Sequence, residues 1–119
     1  MIVEDDADIR EALRDALVEG ARYELWEAIN GAEALALLQG QTRKPCLILL
    51  DVMMPEINGW EFRRAQQADP ALSEIPVVVF TAHENASGAA LELGAAGFLK
   101  KPASLDALVA MIDRHCRKD

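Results

Sequence analysis

Short runs of apolar residues alternate along the chain with longer segments in which apolar positions recur at helical spacing. The clearest run, residues 47–50, is followed at once by Asp51 and then by a turn-forming stretch that ends at Gly59. A strand that is apolar at every position is buried on both faces, which is typical of a central strand in a parallel sheet covered by helices. We therefore predict that Asp51 lies at the carboxyl edge of the sheet, where open α/β sheets place their ligand sites.

Four further segments have strand patterns, and five segments have helical patterns. Besides the central strand, the predicted strands cover residues 1–3, 23–29, 75–80 and 95–100. The predicted helices begin after Asp6 or Asp8, after Asn30, after Asn58, near residue 83 and near Ser104. The fourth helical segment contains Asn85, Ser87 and Gly88, which are poor helix formers, so we expect a short or mobile element there.

Strands and helices alternate throughout, and right-handed crossovers then give a parallel, doubly wound sheet with helices on both faces. The predicted fold is therefore α/β, with five parallel strands and five helices. The inward positions expected on three of these helices are Ile9, Leu13, Ala16, Leu17, Trp60, Phe62, Ala65, Leu105, Leu108, Val109 and Ile112. We interpret Arg63 and Arg64 as a solvated helix face.

A chain of 119 residues has room for one core, so we expect a single domain over residues 1–119. The formal net charge of -8 argues against binding nucleic acid or an anionic membrane, because both need a concentrated basic surface. No apolar run approaches the ~20 residues of a membrane span, and no basic and apolar leader precedes the first strand. We therefore expect a cytoplasmic domain whose partners are proteins or cations.

The two cysteines, Cys46 and Cys116, have neither CxxC nor Cys/His ligand spacing. In a chain expected to be cytoplasmic, such cysteines are normally reduced and pack as small apolar side chains. We therefore predict two free thiols rather than a disulfide.

Charged and hydroxyl side chains follow the predicted strands at the edge where ligands bind. Glu4 and Asp5 follow the first strand, Asp51 the third, Thr81 the fourth and Lys101 the fifth. If the first strand lies beside the third, carboxylates converge, and two such charges ~4 Å apart repel by about 4 kcal/mol at an effective dielectric constant of about 20. A cation relieves this repulsion, and oxygen ligands suit Mg²⁺. A bound Mg²⁺ would attract a phosphoryl group for transfer to a carboxylate, with Thr81 and Lys101 in reach.

These motifs, in this order and at these spacings, closely resemble the receiver domain of two-component response regulators, including the chemotaxis regulators. The resemblance rests on Glu4-Asp5, residues 51–59, Thr81-Ala82 and Lys101-Pro102, and it covers nearly the whole chain. Each motif is weak by itself, whereas four motifs in register at four strand ends are specific. The resemblance implies a flavodoxin-like sheet with strand order 2-1-3-4-5.

The resemblance also implies a role for each residue of the site. Asp51 would be the phosphoacceptor, Thr81 would bond to the phosphoryl group and Lys101 would pair with it. The implied Mg²⁺ ligands are Asp5, Asp51, the backbone carbonyl of Met53 and, through water, Glu4. Phe98 stands at the position of the family's switch aromatic residue, with a plain core role as an equal alternative, and the Lys101-Pro102 bond is expected to be cis.

In this family the phosphoryl donor is a phosphohistidine on a sensor histidine kinase or a phosphotransfer protein, or a small phosphodonor. The domain promotes its own phosphorylation and dephosphorylation without turning over a separate substrate, so the resemblance does not imply an enzyme. Movement of Thr81 and Phe98 would alter the surface formed by the fourth helix, fifth strand and fifth helix. The implied partners are the phosphodonor protein, an output protein or domain of unknown identity, and a second copy in a phosphorylation-dependent homodimer.

Other interpretations differ from this one at identifiable positions. A receiver domain within a hybrid histidine kinase or multidomain regulator would carry the same residues. A haloacid dehalogenase-like aspartyl phosphatase needs an acid two residues after its nucleophile, where this chain has Met53. A flavodoxin-like nucleotide or flavin binder needs a glycine- or hydroxyl-rich loop after the first strand, where residues 4–6 are acidic. A purely structural interaction module would leave the convergent acids without a role.

Overall fold

Five parallel strands form one sheet in the computed structural model, which describes residues 1–20, 23–52, 58–82 and 84–116. The strands are β1 (Ile2–Val3), β2 (Glu27–Ala28), β3 (Ile48–Leu50), β4 (Val77–Thr81) and β5 (Gly97–Lys100). Their order across the sheet is β2-β1-β3-β4-β5, and every neighbouring pair is parallel. The predicted fold class and strand order are therefore confirmed.

A helix follows each strand, as the alternating pattern predicts. The helices are α1 (Ala7–Arg14), α2 (Gly31–Gln39), α3 (Gly59–Ala68), α4 (Ala86–Leu93) and α5 (Leu105–Cys116), and a π-helical segment (Asp15–Gly20) continues α1. The expectation of a short fourth helix is confirmed, since α4 has 8 residues. None of the helices in the described ranges is long and apolar enough to cross a lipid bilayer.

Side-chain caps fix where the helices begin. The Asp6 carboxylate accepts hydrogen bonds from the backbone N–H groups of Asp8 and Ile9, at 2.9 and 3.4 Å, so Asp6 is the cap of α1. Asn30 and Asn58 cap α2 and α3 in the same way, through the N–H three residues later. The predicted starts of α1, α2 and α3 are therefore correct because they rest on local hydrogen bonds. The start predicted near residue 83 is wrong, since α4 begins at Ala86 with Asn85 as its cap.

The central strand is buried on both faces, as its unbroken apolar run predicts. Ile48 and Leu50 face a cluster that includes Leu38 of α2 and Phe62 of α3. Leu49 faces the opposite cluster, formed largely with α1 and α5. Helices therefore cover both faces of β3, and its carboxyl end leads into Asp51.

Three predictions about helix faces are wrong. Arg63 is buried, whereas the neighbouring Arg64 is exposed. Ala65 is exposed because the buried face of α3 is centred on Phe62, Arg63 and Gln66, and Ala65 lies off that face at 100° per residue. Leu105 is in phase with the buried residues of α5 but is 43 % exposed in the first turn, since helix phase does not reveal how far along its axis the core extends.

The prediction of two free thiols is also wrong, because Cys46 and Cys116 form a disulfide with their Cα atoms 5.3 Å apart. Cys46 stands two residues before β3, and Cys116 is the last residue of α5. The helix α5 follows β5 and runs back toward the amino ends of the strands, so its last residue lies near the start of β3. A separation of 70 residues hides this proximity from any local sequence pattern.

Candidate functional site

The carboxyl ends of β1 and β3 bring two acids together. The register pairs Val3 with Leu50, so Glu4 and Asp51, which follow these residues, lie side by side. The backbone N–H of Asp51 donates to the Val3 carbonyl at 3.1 Å, which extends the ladder to the site itself. The acids therefore meet because of strand order, as we expected if the first strand neighboured the third.

Asp5 completes an acidic cluster with these two residues. One carboxylate oxygen from each of Glu4, Asp5 and Asp51 lies within 4.8 Å of the others. Glu4 and Asp51 are 1 % and 5 % exposed, whereas Asp5 is exposed to solvent. The cluster is therefore open on the side of Asp5, and a small ligand can approach from there.

Lys101 supplies a positive charge beside the two buried acids. Its Nζ lies 3.0 Å from Asp51 Oδ2 and 2.5 Å from Glu4 Oε1, and it also lies over the Phe80 ring at 5.1 Å from the centroid. Burial opposes the charged form of Lys101, but the two carboxylates outweigh it and raise the pKa of Lys101 above its usual value. Lys101 therefore stays protonated near neutral pH and pairs with the acids.

One ammonium group cannot neutralise three carboxylates. Burial raises the pKa of Glu4 to about 7, and the negative charge of Asp51 adds to the effect, although Lys101 and the Asp6 N–H counteract both. Residual negative charge in a partly buried pocket favours a bound cation. The donor set consists of carboxylate oxygens, which is the ligand type of hard divalent ions. The residues present therefore fit a divalent metal.

Thr81 and Lys101 are joined by the sheet. Thr81 ends β4 and is fully buried, and its carbonyl accepts a hydrogen bond from the Lys101 N–H at 2.8 Å.

Phe98 of β5 is 44 % exposed, so the core alternative for Phe98 is wrong. The Lys101-Pro102 bond is cis, as expected. Met53, a predicted metal ligand, lies outside the described residues.

Two contributors to the site were missed by sequence reasoning. Arg10 of α1 donates from Nη1 to the Glu4 carbonyl at 2.8 Å, which holds the loop that carries Glu4 and Asp5. Phe80 forms the apolar surface below the Lys101 ammonium. Arg10 lies six residues from Glu4, and no helical or strand period connects the two. The position of Phe80 one residue before Thr81 was the only available signal for its role.

Comparison with known proteins gives a consistent result. The sequence matches the family described as response regulator receiver domain over residues 1–113. It is 40% identical over 120 residues to the phosphate regulon transcriptional regulatory protein PhoB of Pseudomonas aeruginosa, covering 99% of this chain and 51% of that protein. The chain thus spans about half the length of the curated relatives it matches.

Solved structures with the same fold include three at about 30% identity. The chemotaxis response regulator CheY4 of Vibrio cholerae aligns with a TM-score of 0.83 at 30% identity, covering 95% of this chain and 93% of that chain. The receiver domain of a histidine kinase from Syntrophus aciditrophicus aligns with a TM-score of 0.82 at 31% identity, covering 99% and 92%. The Mn²⁺-bound form of response regulator Rcp1 aligns with a TM-score of 0.76 at 31% identity, covering 95% and 87%.

Proposed function

This chain belongs to the response regulator receiver domain family, and from that membership we propose that it accepts a phosphoryl group on Asp51. The observation that carries the proposal is the position of the Asp51 carboxylate. It directly follows the central strand, lies 3.0 Å from the Lys101 ammonium and shares a cluster with Glu4 and Asp5. This arrangement provides a nucleophilic oxygen, a neighbouring cation and a set of metal ligands.

The proposed reaction transfers the phosphoryl group from a phosphohistidine to Asp51. A carboxylate oxygen forms the new bond to phosphorus while the bond from phosphorus to the histidine nitrogen breaks. A carboxylate attacks through an oxygen that carries no proton, so this nucleophile needs no general base. Lys101 lies next to the Asp51 oxygen and would pair with the phosphoryl oxygens as negative charge accumulates there. Thr81, at the end of the adjacent strand, is the proposed hydroxyl partner of the same group.

We assign Mg²⁺ as the divalent ion, with Asp5 and Asp51 as direct ligands and Glu4 as a ligand through water. The Met53 carbonyl is the third proposed protein ligand. When bound, Mg²⁺ supplies charge neutralisation between the carboxylates and the incoming phosphoryl oxygens. The acidic cluster supports a divalent ion, as does the Mn²⁺-bound form of Rcp1.

The proposed phosphodonor is a sensor histidine kinase or a phosphotransfer protein in the cytoplasm. The proposed output surface comprises α4, β5 and α5, where the exposed apolar side chains of Leu91, Phe98 and Leu105 lie. That surface would bind an output protein or domain, or a second copy of the chain after phosphorylation. Because the chain has a net charge of -8, we do not expect this domain to bind nucleic acid or an anionic membrane.

A receiver domain of a hybrid histidine kinase or multidomain regulator is the second candidate. It is favoured by the similarity to the receiver domain of a histidine kinase and by the half-length match to the curated relatives. The chemistry at Asp51 is the same in both cases. We propose no separate substrate turnover, since the position two residues after Asp51 is Met53 and not the acid of a phosphatase.

Intact mass after incubation with a small phosphodonor and Mg²⁺ tests the proposal. The wild type should gain one phosphoryl group that hydroxylamine removes, as expected of an acyl phosphate. Asp51→Asn should gain none, whereas Asp15→Asn, which alters an exposed carboxylate outside the cluster, should behave as the wild type. A hydroxylamine-sensitive adduct that persists in Asp51→Asn would place the acceptor elsewhere.

A further inference from the structure

The edge of the sheet opposite the acidic site carries both cysteines of the chain. Cys46 is exposed and Cys116 is half-buried, so dissolved thiols and disulfides can reach the bond between them. We propose that this pair is a reversible thiol–disulfide modification site that takes low-molecular-weight disulfides as oxidants and small thiols as reductants. The pair joins the segment before β3 to the last residue of α5.

The disulfide constrains the C-terminal end of α5, because Cys116 is the last residue of that helix. Near this end, the Tyr23 hydroxyl donates a hydrogen bond to the Asp113 carboxylate, and Ile112 packs into the core. Cys46 and Cys116 also line an apolar cavity of about 490 Å³, together with Tyr23 and Trp26. Because Ile112 and Cys116 line this cavity, the disulfide is one of the contacts that hold the last turn of α5, together with the Tyr23–Asp113 hydrogen bond. Reduction should therefore loosen the end of α5.

The length of the enclosed loop makes the bond thermodynamically important. The cysteines are 70 residues apart, and the loop between them contains β3 to β5 and α3 to α5. A cross-link over a long loop restricts the unfolded chain and thereby stabilises the folded state. We expect the oxidised protein to unfold at a temperature higher by on the order of 10 °C than the reduced protein.

The proposed exchange balances as two displacements. The thiolate of Cys46, the more exposed of the two cysteines, attacks one sulfur of the small disulfide and releases the first small thiolate. The thiolate of Cys116 then attacks the Cys46 sulfur of the mixed disulfide and releases the second small thiolate. The two protons lost by the cysteines go to the two small thiolates. The protein loses two electrons, and the small disulfide gains them.

The redox potential of the compartment determines whether the thiol form or the disulfide form of the pair prevails. A reducing cytoplasm keeps accessible cysteines as thiols, so the bond would form there only under oxidising conditions. This statement about the resting state depends on the cytoplasmic location proposed above. The exchange itself does not depend on it, nor on phosphorylation of Asp51.

The first experiment measures the exchange directly. The full chain is reduced, freed of reductant and incubated with mixtures of reduced and oxidised glutathione, and its mass and peptide map are then recorded without reduction. We expect the loss of two hydrogen atoms per chain, an internal Cys46–Cys116 peptide link, and full reversal by excess thiol. Cys46→Ser and Cys116→Ser should instead hold one glutathione as a mixed disulfide. Asp51→Asn should exchange as the wild type does, which separates this test from that of phosphorylation.

The second experiment measures the consequence for α5. Melting temperature and amide hydrogen exchange are compared for the oxidised and reduced wild type, a comparison that needs no variant to fold. Reduction should lower the melting temperature and speed exchange in the last turn of α5 more than in α3. Cys46→Ala/Cys116→Ala should resemble the reduced protein under both conditions.

Three results would overturn the proposal. The first is that both thiols stay free at oxidising glutathione ratios. The second is that the bond forms only between two chains. The third is that the two redox states melt at the same temperature with equal exchange in α5.

Discussion

At the scale of single residues, Lys101 connects the charged groups of the site. Its ammonium contacts Glu4 Oε1 and Asp51 Oδ2, and its backbone N–H bonds to Thr81. The adjacent Lys100 is exposed on β5. Two neighbouring residues of the same type therefore have different environments, and this gives a matched pair of variants.

We predict that Lys101→Met slows phosphorylation by a small phosphodonor about 10²-fold, because a preorganised positive group is removed from the transferring oxygens. The change keeps an apolar stem over Phe80. Lys100→Met should react at the wild-type rate. The measurement is the time course of the phosphorylated mass at saturating Mg²⁺, and equal rates for Lys101→Met and wild type would remove Lys101 from the proposed mechanism.

Gly59 is the residue that lets α3 begin close to the segment after Asp51. A Cβ at Gly59 would lie 2.6 Å from Val52 Cα, which is a backbone atom and cannot rotate away. We predict that Gly59→Ala lowers the free energy of unfolding by about 1–3 kcal/mol. Gly97→Ala is the control, since a Cβ there meets Met111 Cε at 3.6 Å, an ordinary contact. Urea unfolding of both variants checks this, and a fully stable Gly59→Ala would contradict the close approach.

At the scale of elements, Arg63 ties α3 to the end of α4. Its Nε donates to the Leu93 carbonyl at 2.9 Å, its Nη2 donates to the Gly94 carbonyl at 3.2 Å, and its Nη1 donates to Gln66 Oε1 at 2.8 Å. Gly94, at φ 64°, ends α4 in the left-handed region. Arg63 thus satisfies carbonyl groups that the end of α4 leaves without helical partners.

We predict that Arg63→Ala lowers the free energy of unfolding by about 2–3 kcal/mol, since the buried Leu93 carbonyl and the buried Gln66 side chain lose their donor. Arg64→Ala should stay within about 0.5 kcal/mol of the wild type, because Arg64 is exposed on the same helix. Chemical denaturation gives the free energy of unfolding of each variant, and a larger loss in Arg63→Ala than in Arg64→Ala would support the buried role of Arg63. Equal stabilities would favour the solvated interpretation.

At the scale of the whole molecule, different groups of side chains lie at the two ends of the parallel strands. The carboxyl edge gathers Glu4, Asp5, Asp51 and Lys101, while the amino edge carries the disulfide. The crowded acids oppose folding unless a cation lies among them. Any ion that binds only the folded state stabilises the whole domain by mass action.

We predict that Mg²⁺ raises the free energy of unfolding by about 2.7 kcal/mol at a concentration one hundred times its dissociation constant. Chelation should reverse the gain. Asp5→Asn should lose most of it, and Asp15→Asn should keep it. Thermal unfolding with and without Mg²⁺ tests this, and an equal response in Asp5→Asn would remove Asp5 from the proposed ligand set.

The sequence by itself determined the type and order of the elements, although the second strand covers Glu27–Ala28 rather than residues 23–29 and the fourth helix begins at Ala86 rather than near residue 83. The unbroken apolar run before Asp51 and the caps at Asp6 and Asn58 are local signals, because burial on two faces and short hydrogen bonds depend on neighbouring residues. The motifs at the strand ends then predicted which acids meet.

Only the tertiary structure decided the contacts between distant segments. The burial of Arg63 and the bond between Cys46 and Cys116 arise where elements far apart in sequence are packed together. The hydrogen bond from Arg10 to the Glu4 carbonyl spans only six residues, but it forms across the turn from β1 into α1, where no helical or strand period applies. Sequence periodicity specifies which face of an element is apolar. It does not specify which polar side chain reaches the end of a neighbouring helix, because that depends on the position of each element along its axis.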